Sequence, residues 1–182
     1  MMAEAQHAAL AAVRSCDGCD LCCRTYEIAE LGKPMGMPCP LIVAAGCAIH
    51  GSHPNTCKSF RCFWLDQPEL GPEWRPSIAG FVVRLDPDGV TMWIDVDPER
   101  IGAWRRPPYL PQIKLWSGAI VDGRGVVAVH DDGGVFIVFP ETELFLPEPP
   151  RGARFQAGYR IGAQGREPWA EVLASPARRR AA

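Results

Sequence analysis

The chain has 182 residues, 47% of them hydrophobic, enough for one domain or one domain with a smaller module attached. Its formal net charge is −2 and its pI is near 6.1, which excludes a broad basic field of the kind that attracts nucleic acid or an acidic membrane surface. No run of sequence approaches the ~20 apolar residues of a membrane helix, so neither a nucleic-acid partner nor a membrane is expected.

Residues 1–15 read as a short alanine-rich helix, with Leu10 and Val13 placed to dock one edge. Glu4, Gln6 and His7 interrupt this stretch, and it lacks a basic start, so it does not read as a secretory signal. A cytoplasmic setting is the expectation, and there thiols stay reduced.

Residues 16–66 form the second unit and hold all eight cysteines. Gly18, Gly32, Gly36, Gly46 and Gly51, with Pro34, Pro38, Pro40 and Pro54, leave no room for long regular elements. The apolar content, Leu41-Ile42-Val43 and little else, is thin for an independent core. A metal would supply the missing stability.

Residues 67–150 read as a β-hairpin-rich unit. Phe81–Leu85 and Val90–Ile94 flank the turn Asp86-Pro87-Asp88-Gly89. Asp97-Pro98-Glu99-Arg100 predicts a capped short helix with Ile101 and Trp104 inward. Ile113–Val121 fits strand and helix equally. A second hairpin joins Gly125–Val129 to Val135–Phe139 through a turn, His130-Asp131-Asp132-Gly133-Gly134. His130 with the two aspartates suggests an acid–base group, but a polar turn explains them with fewer assumptions. Residues 151–182 are rich in Pro, Gly and Arg and are expected to be partly disordered, with a short helix near Trp169–Leu173 and a solvated Arg178-Arg179-Arg180 tail.

The chemistry lies in Cys16, Cys19, Cys22, Cys23, Cys39, Cys47, Cys57 and Cys62, spaced C-x2-C-x2-C-C-x15-C-x7-C-x9-C-x4-C. A two-residue gap lets a tight knuckle bring two thiolates to one ion. Cys22 and Cys23, if extended, point apart and can serve different centres. Zinc favours such knuckles. Iron–sulfur clusters favour C-x2-C-x2-C with a remote cysteine before proline, as in Cys39-Pro40. Spacing leaves open zinc or iron, the iron alone or in an iron–sulfur cluster. A disulfide framework is disfavoured in a reducing compartment. His50 and His53, between Cys47 and Cys57, are candidates for an extra ligand or for supporting the ligands. No residue is singled out as catalytic; no dinucleotide fingerprint, P-loop or nucleophile elbow is present.

Cys16-Asp17-Gly18-Cys19-Asp20-Leu21-Cys22-Cys23-Arg24 resembles the opening of the CxxCxxCC, or YkgJ-like, cysteine cluster family. Cys39-Pro40-Leu41, Cys47-Ala48-Ile49-His50 and Pro54-Asn55-Thr56-Cys57-Lys58-Ser59-Phe60-Arg61-Cys62 are similar to its later blocks. The family is described as zinc- or iron-chelating, and some members are labelled Fe–S oxidoreductases. The chain departs from it at His50 and His53, where an aromatic and a basic residue are usual. The resemblance covers roughly residues 16–65 and implies metal chelation.

The expected fold is therefore α+β: a cysteine-rich, metal-stapled N-terminal lobe of irregular loops and short helices, packed on a small hairpin-rich C-terminal lobe. The expected function is thiolate chelation of zinc or iron, in metal handling or as a structural adaptor. An iron–sulfur electron-transfer protein or oxidoreductase subunit is the alternative. A protein partner bound through the hairpin-rich lobe is compatible with either.

Overall fold

The computed structural model describes residues 14–16, 18–44, 46–86, 89–122, 125–150, 153–163 and 165–173. Residues 1–13 of the predicted N-terminal helix and the arginine tail lie outside these residues. The chain contains both helices and strands. The first part carries only short elements: α1 (Leu21–Thr25), β1 (Ile42–Val43), β2 (Gly46–Cys47), α2 (Asn55–Ser59), α3 (Phe63–Asp66) and α4 (Pro76–Ala79). The glycines and prolines account for this. Gly18, Gly32, Gly36, Gly46 and Gly51 all take positive φ, where a side chain would be strained.

The larger sheet follows: β3 (Phe81–Leu85), β4 (Thr91–Val96), then α5 (Tyr109–Asp122), β5 (Val126–Asp131), β6 (Gly134–Val138) and β7 (Glu143–Pro147). Its spatial order is β3-β4-β5-β6-β7, with β4 and β5 parallel and every other pair antiparallel. The crossover between the parallel pair needs a helix, and α5 supplies it. Tyr109, Ile113, Trp116 and Ile120 recur at helical spacing and pack on the sheet, which resolves the ambiguity of Ile113–Val121.

Alternation along the strands divides the sheet into two faces. Phe81, Val83, Met92, Ile94, Val127 and Val129 meet α5, Trp74 and Trp104 on one. On the other, Val82 packs against Leu21 and Cys62 of the cysteine-bearing segment. Further along this second face, Trp93, Ala128, Val135 and Ile137 meet Phe155 and Ala157. Those two residues belong to β8 (Arg154–Gly162), which pairs with β9 (Gly165–Leu173). Two separate pieces of chain thus cover the same face of the sheet.

Three expectations are corrected here. Trp169–Leu173 is strand, not helix, because Phe155 and Ala157 alternate toward the sheet and draw their partner into a hairpin. Pro98–Gly102 forms turns, and only Ala103–Arg105 makes a single 3-10 turn; Asp97 still receives the Glu99 N–H. His130 is not in the second hairpin's turn. The register pairs Asp131 with Gly134, leaving Asp132-Gly133 as a two-residue turn with φ of 47° and 74°. Paired positive φ values match the strand twist, and Asp-Gly is a favoured sequence for them.

Candidate metal centre

Cys16 and Cys19 begin the site. Cys19 N–H donates to the Cys16 carbonyl at 2.9 Å, and Gly18 between them has φ of 66°. This is the tight turn that the two-residue gap predicts. Cys22 and Cys23 follow on α1, not on extended chain as the sequence suggested. Successive helical residues still differ in direction by roughly 100°, so the divergence survives with a different cause. Cys39 is buried and its N–H donates to the Cys23 carbonyl at 2.9 Å. Cys47 lies on β2 opposite Ile42, and Cys57 lies within α2. Cys62, also buried, immediately precedes α3, and its carbonyl accepts the Leu65 N–H at 3.0 Å.

Seven of these cysteines, all but Cys39, line one cavity of about 350 Å³ together with His50, His53 and Phe60. No disulfide joins any two of the eight. His50 and His53 stack at 5.1 Å, and His53 Nδ1 accepts the Gly51 N–H at 3.0 Å. Among the described residues, no three or more His, Cys, Asp or Glu side chains stand as a ready ligand group for an ion. The seven cysteines share one cavity without converging on a point within it.

The chain matches no protein-family model, and no curated protein or solved structure matches it. The site must therefore be read from its own electrostatics.

Cys22 and Cys23 hydrogen-bond each other. That bond raises the Cys22 thiol and lowers Cys23; burial raises Cys22 further. Their other thiol neighbours differ. Cys22 feels Cys19 and Cys16, whereas Cys57 feels Cys23, Cys39 and Cys47. Cys62 is raised first by burial, and the thiols that act on it are Cys16 and Cys19. Cys16 and Cys19 thus act on both Cys22 and Cys62, while Cys23, Cys39 and Cys47 act on Cys57, and the Cys22–Cys23 contact links the two groups.

Lys33 is the residue that sequence reasoning missed. It is 3% exposed, and its ammonium donates to the Tyr26 carbonyl. Burial lowers its pKa, and Cys39, Cys23, Cys22 and Cys57 oppose that shift. Among the described residues no carboxylate lies within ion-pair distance of it. A buried ammonium is costly unless an anion is close. The groups near it that can become anions are the thiols of Cys39, Cys23, Cys22 and Cys57. No signal in the spacing marks Lys33, since its burial depends on the Ile28–Lys33 bridge folding it back over α1.

Proposed function

We propose that this protein is a thiolate metal-binding protein for zinc or iron, holding the metal in two four-cysteine centres. The observation that carries the reading is Lys33, a buried cation on which the thiols of Cys39, Cys23, Cys22 and Cys57 act. Four thiolates around a divalent ion leave a net negative charge, and a nearby ammonium offsets it. The donor set also fits. Thiolates are soft ligands shared by zinc and by iron–sulfur centres. The first centre takes Cys16, Cys19, Cys22 and Cys62; the second takes Cys23, Cys39, Cys47 and Cys57. His50 and His53 stand at the cavity wall beside them, placed to support the ligands rather than complete either set.

Bound metal would cross-link segments that share little apolar contact and would supply either a structural staple or, as an iron–sulfur cluster, an electron carrier. The chain's own contribution is the Cys16–Cys19 knuckle, the burial of Cys62 and the Lys33 charge. The resemblance to the YkgJ-like cysteine cluster family supports the same reading. The metal-stapled lobe docked on the hairpin-rich sheet follows from it, with Leu21, Cys62 and Val82 as the seam.

Anaerobic purification with elemental analysis and a visible spectrum tests this. Stoichiometric zinc without colour, or iron with broad charge-transfer absorbance, supports the reading and chooses the metal. Cys19→Ser and Cys57→Ser should each remove a different share of the metal, and the double variant should remove both. A protein that holds no metal when purified this way, or single variants with full occupancy, would overturn it.

A further inference from the structure

Two pieces of chain cover the second face of the sheet. Between them lies a cavity of about 530 Å³, larger than the cysteine pocket. Thr25, Met35 and Gly36 border it from the cysteine-bearing segment, and Ala153, just before β8, and Phe155, within it, border it from the other side. Its floor is the carboxyl end of the parallel pair β4 and β5, where Asp95 and His130 are register partners. Open sheets bind ligands at the carboxyl ends of their parallel strands.

The floor is built with care. Asp95 is 3% exposed, and its two oxygens are both engaged. One lies 2.6 Å from His130 Nδ1 and the other accepts from Arg84 Nε at 3.3 Å. Trp93 stacks on the imidazole at 4.4 Å with an interplanar angle of 11°. The ring is thus fixed by a hydrogen bond at one edge and an indole on one face. With Nδ1 tied down, Nε2 is the atom left for the cavity, and in the neutral ring it is an acceptor. Arg84 is spent on Asp95 and Asp86, and Asp131 on the Trp104 indole N–H and the Gly102 N–H. Glu27, Asp132 and Glu148 also line the cavity and have no ion-pair partner among the described residues. The uncompensated charge there is negative, and Trp93 and Phe155 add aromatic wall.

We propose that this cavity is a second binding site, for a small organic ammonium ion with an apolar body. The ammonium donates an N–H to Nε2 of His130, the rim carboxylates balance its charge, and the apolar body lies against Trp93 and Phe155. A cation beside an aromatic wall gains further electrostatic attraction. No cysteine lines the site.

Calorimetric titration of the full chain with benzylammonium, benzyl alcohol and benzoate tests it, with His130 ring resonances followed by NMR. Benzylammonium should bind and shift those resonances, benzyl alcohol should bind at least several-fold more weakly, and benzoate weakest. His130→Phe keeps a ring for Trp93 to stack on but removes the acceptor, and should weaken benzylammonium by about tenfold or more. Glu148→Gln, an exposed change that leaves the floor intact, should weaken it by a smaller factor. Equal binding of all three probes, absence of benzylammonium binding at millimolar concentration, or affinity unchanged in both variants would overturn the proposal.

Discussion

Lys33 is a lysine that two environments pull in opposite directions. Burial favours its neutral form, and the thiols around it favour the charged form. Replacing it by methionine keeps the stem and removes the charge. In metal-free protein the change should be neutral or stabilising, since an ammonium with no strong partner is no longer buried. In loaded protein it should weaken metal retention by about 10- to 100-fold, read by chelator competition. Unaltered retention would reduce Lys33 to a packing role. Asp95 carries a second residue-level prediction. Burial pushes its pKa up, but the hydrogen bond and charge of His130, with Arg84, hold it below the usual value. A carboxyl lowered on folding adds stability that is complete above its unfolded pKa of about 4 and is lost as pH falls through the folded value. Urea midpoints between neutral and acid pH should therefore fall more steeply for the wild type than for Asp95→Asn.

At the scale of elements, the join from α5 to β5 is tightly packed against backbone. A Cβ on Gly125 would lie 2.6 Å from the Val90 carbonyl oxygen and 2.4 Å from Ile120 Cγ2. Gly125→Ala should cost about 1–3 kcal/mol as overpacking, measured by denaturant unfolding, and a neutral result would mean that the backbone there shifts freely. The elements also show which signals were readable. The β3–β4 hairpin was legible because apolar strands flank an Asp/Pro/Gly turn. The β5–β6 hairpin was legible in position but not in turn length, since two aspartates and two glycines offered several turns and only the register selects Asp132-Gly133. That slip hid His130, which lies on β5 facing Asp95. Trp169–Leu173 suits either period, and what decides it is β8, a partner with no turn signal strong enough to announce it. The eight cysteines stood out because spacing is a local property. The division proposed for them was legible only at Cys22-Cys23, because Cys62 would join Cys16 and Cys19 only through the fold.

On the scale of the whole molecule, the two halves differ in what holds them. The sheet has buried apolar residues on both faces, while the cysteine-bearing segment contributes Leu21 and Cys62 to a small cluster with Val82. Chelator treatment should therefore release residues 18–66 first, leaving β3 to β7 protected. Hydrogen exchange followed by mass spectrometry reads this directly, and uniform protection before and after metal removal would count against a metal-dependent segment. No helix among the described residues is long and apolar enough to cross a membrane, so nothing in the described helices competes with this division.

The seam at Val82 also sets an order in time. The ribosome makes every cysteine before it makes the strand on which Leu21 and Cys62 rest. β3 is an edge strand held by β4, and β4 is held by β5, which ends at Asp131. That residue is roughly 70 positions beyond Cys62, a delay on the order of 4–14 s at ~5–20 residues per second. Through that interval the nascent thiols have no wall behind them. The window for their capture, by a metal or by an oxidant, is thus written into the strand order of a sheet that contains no cysteine at all.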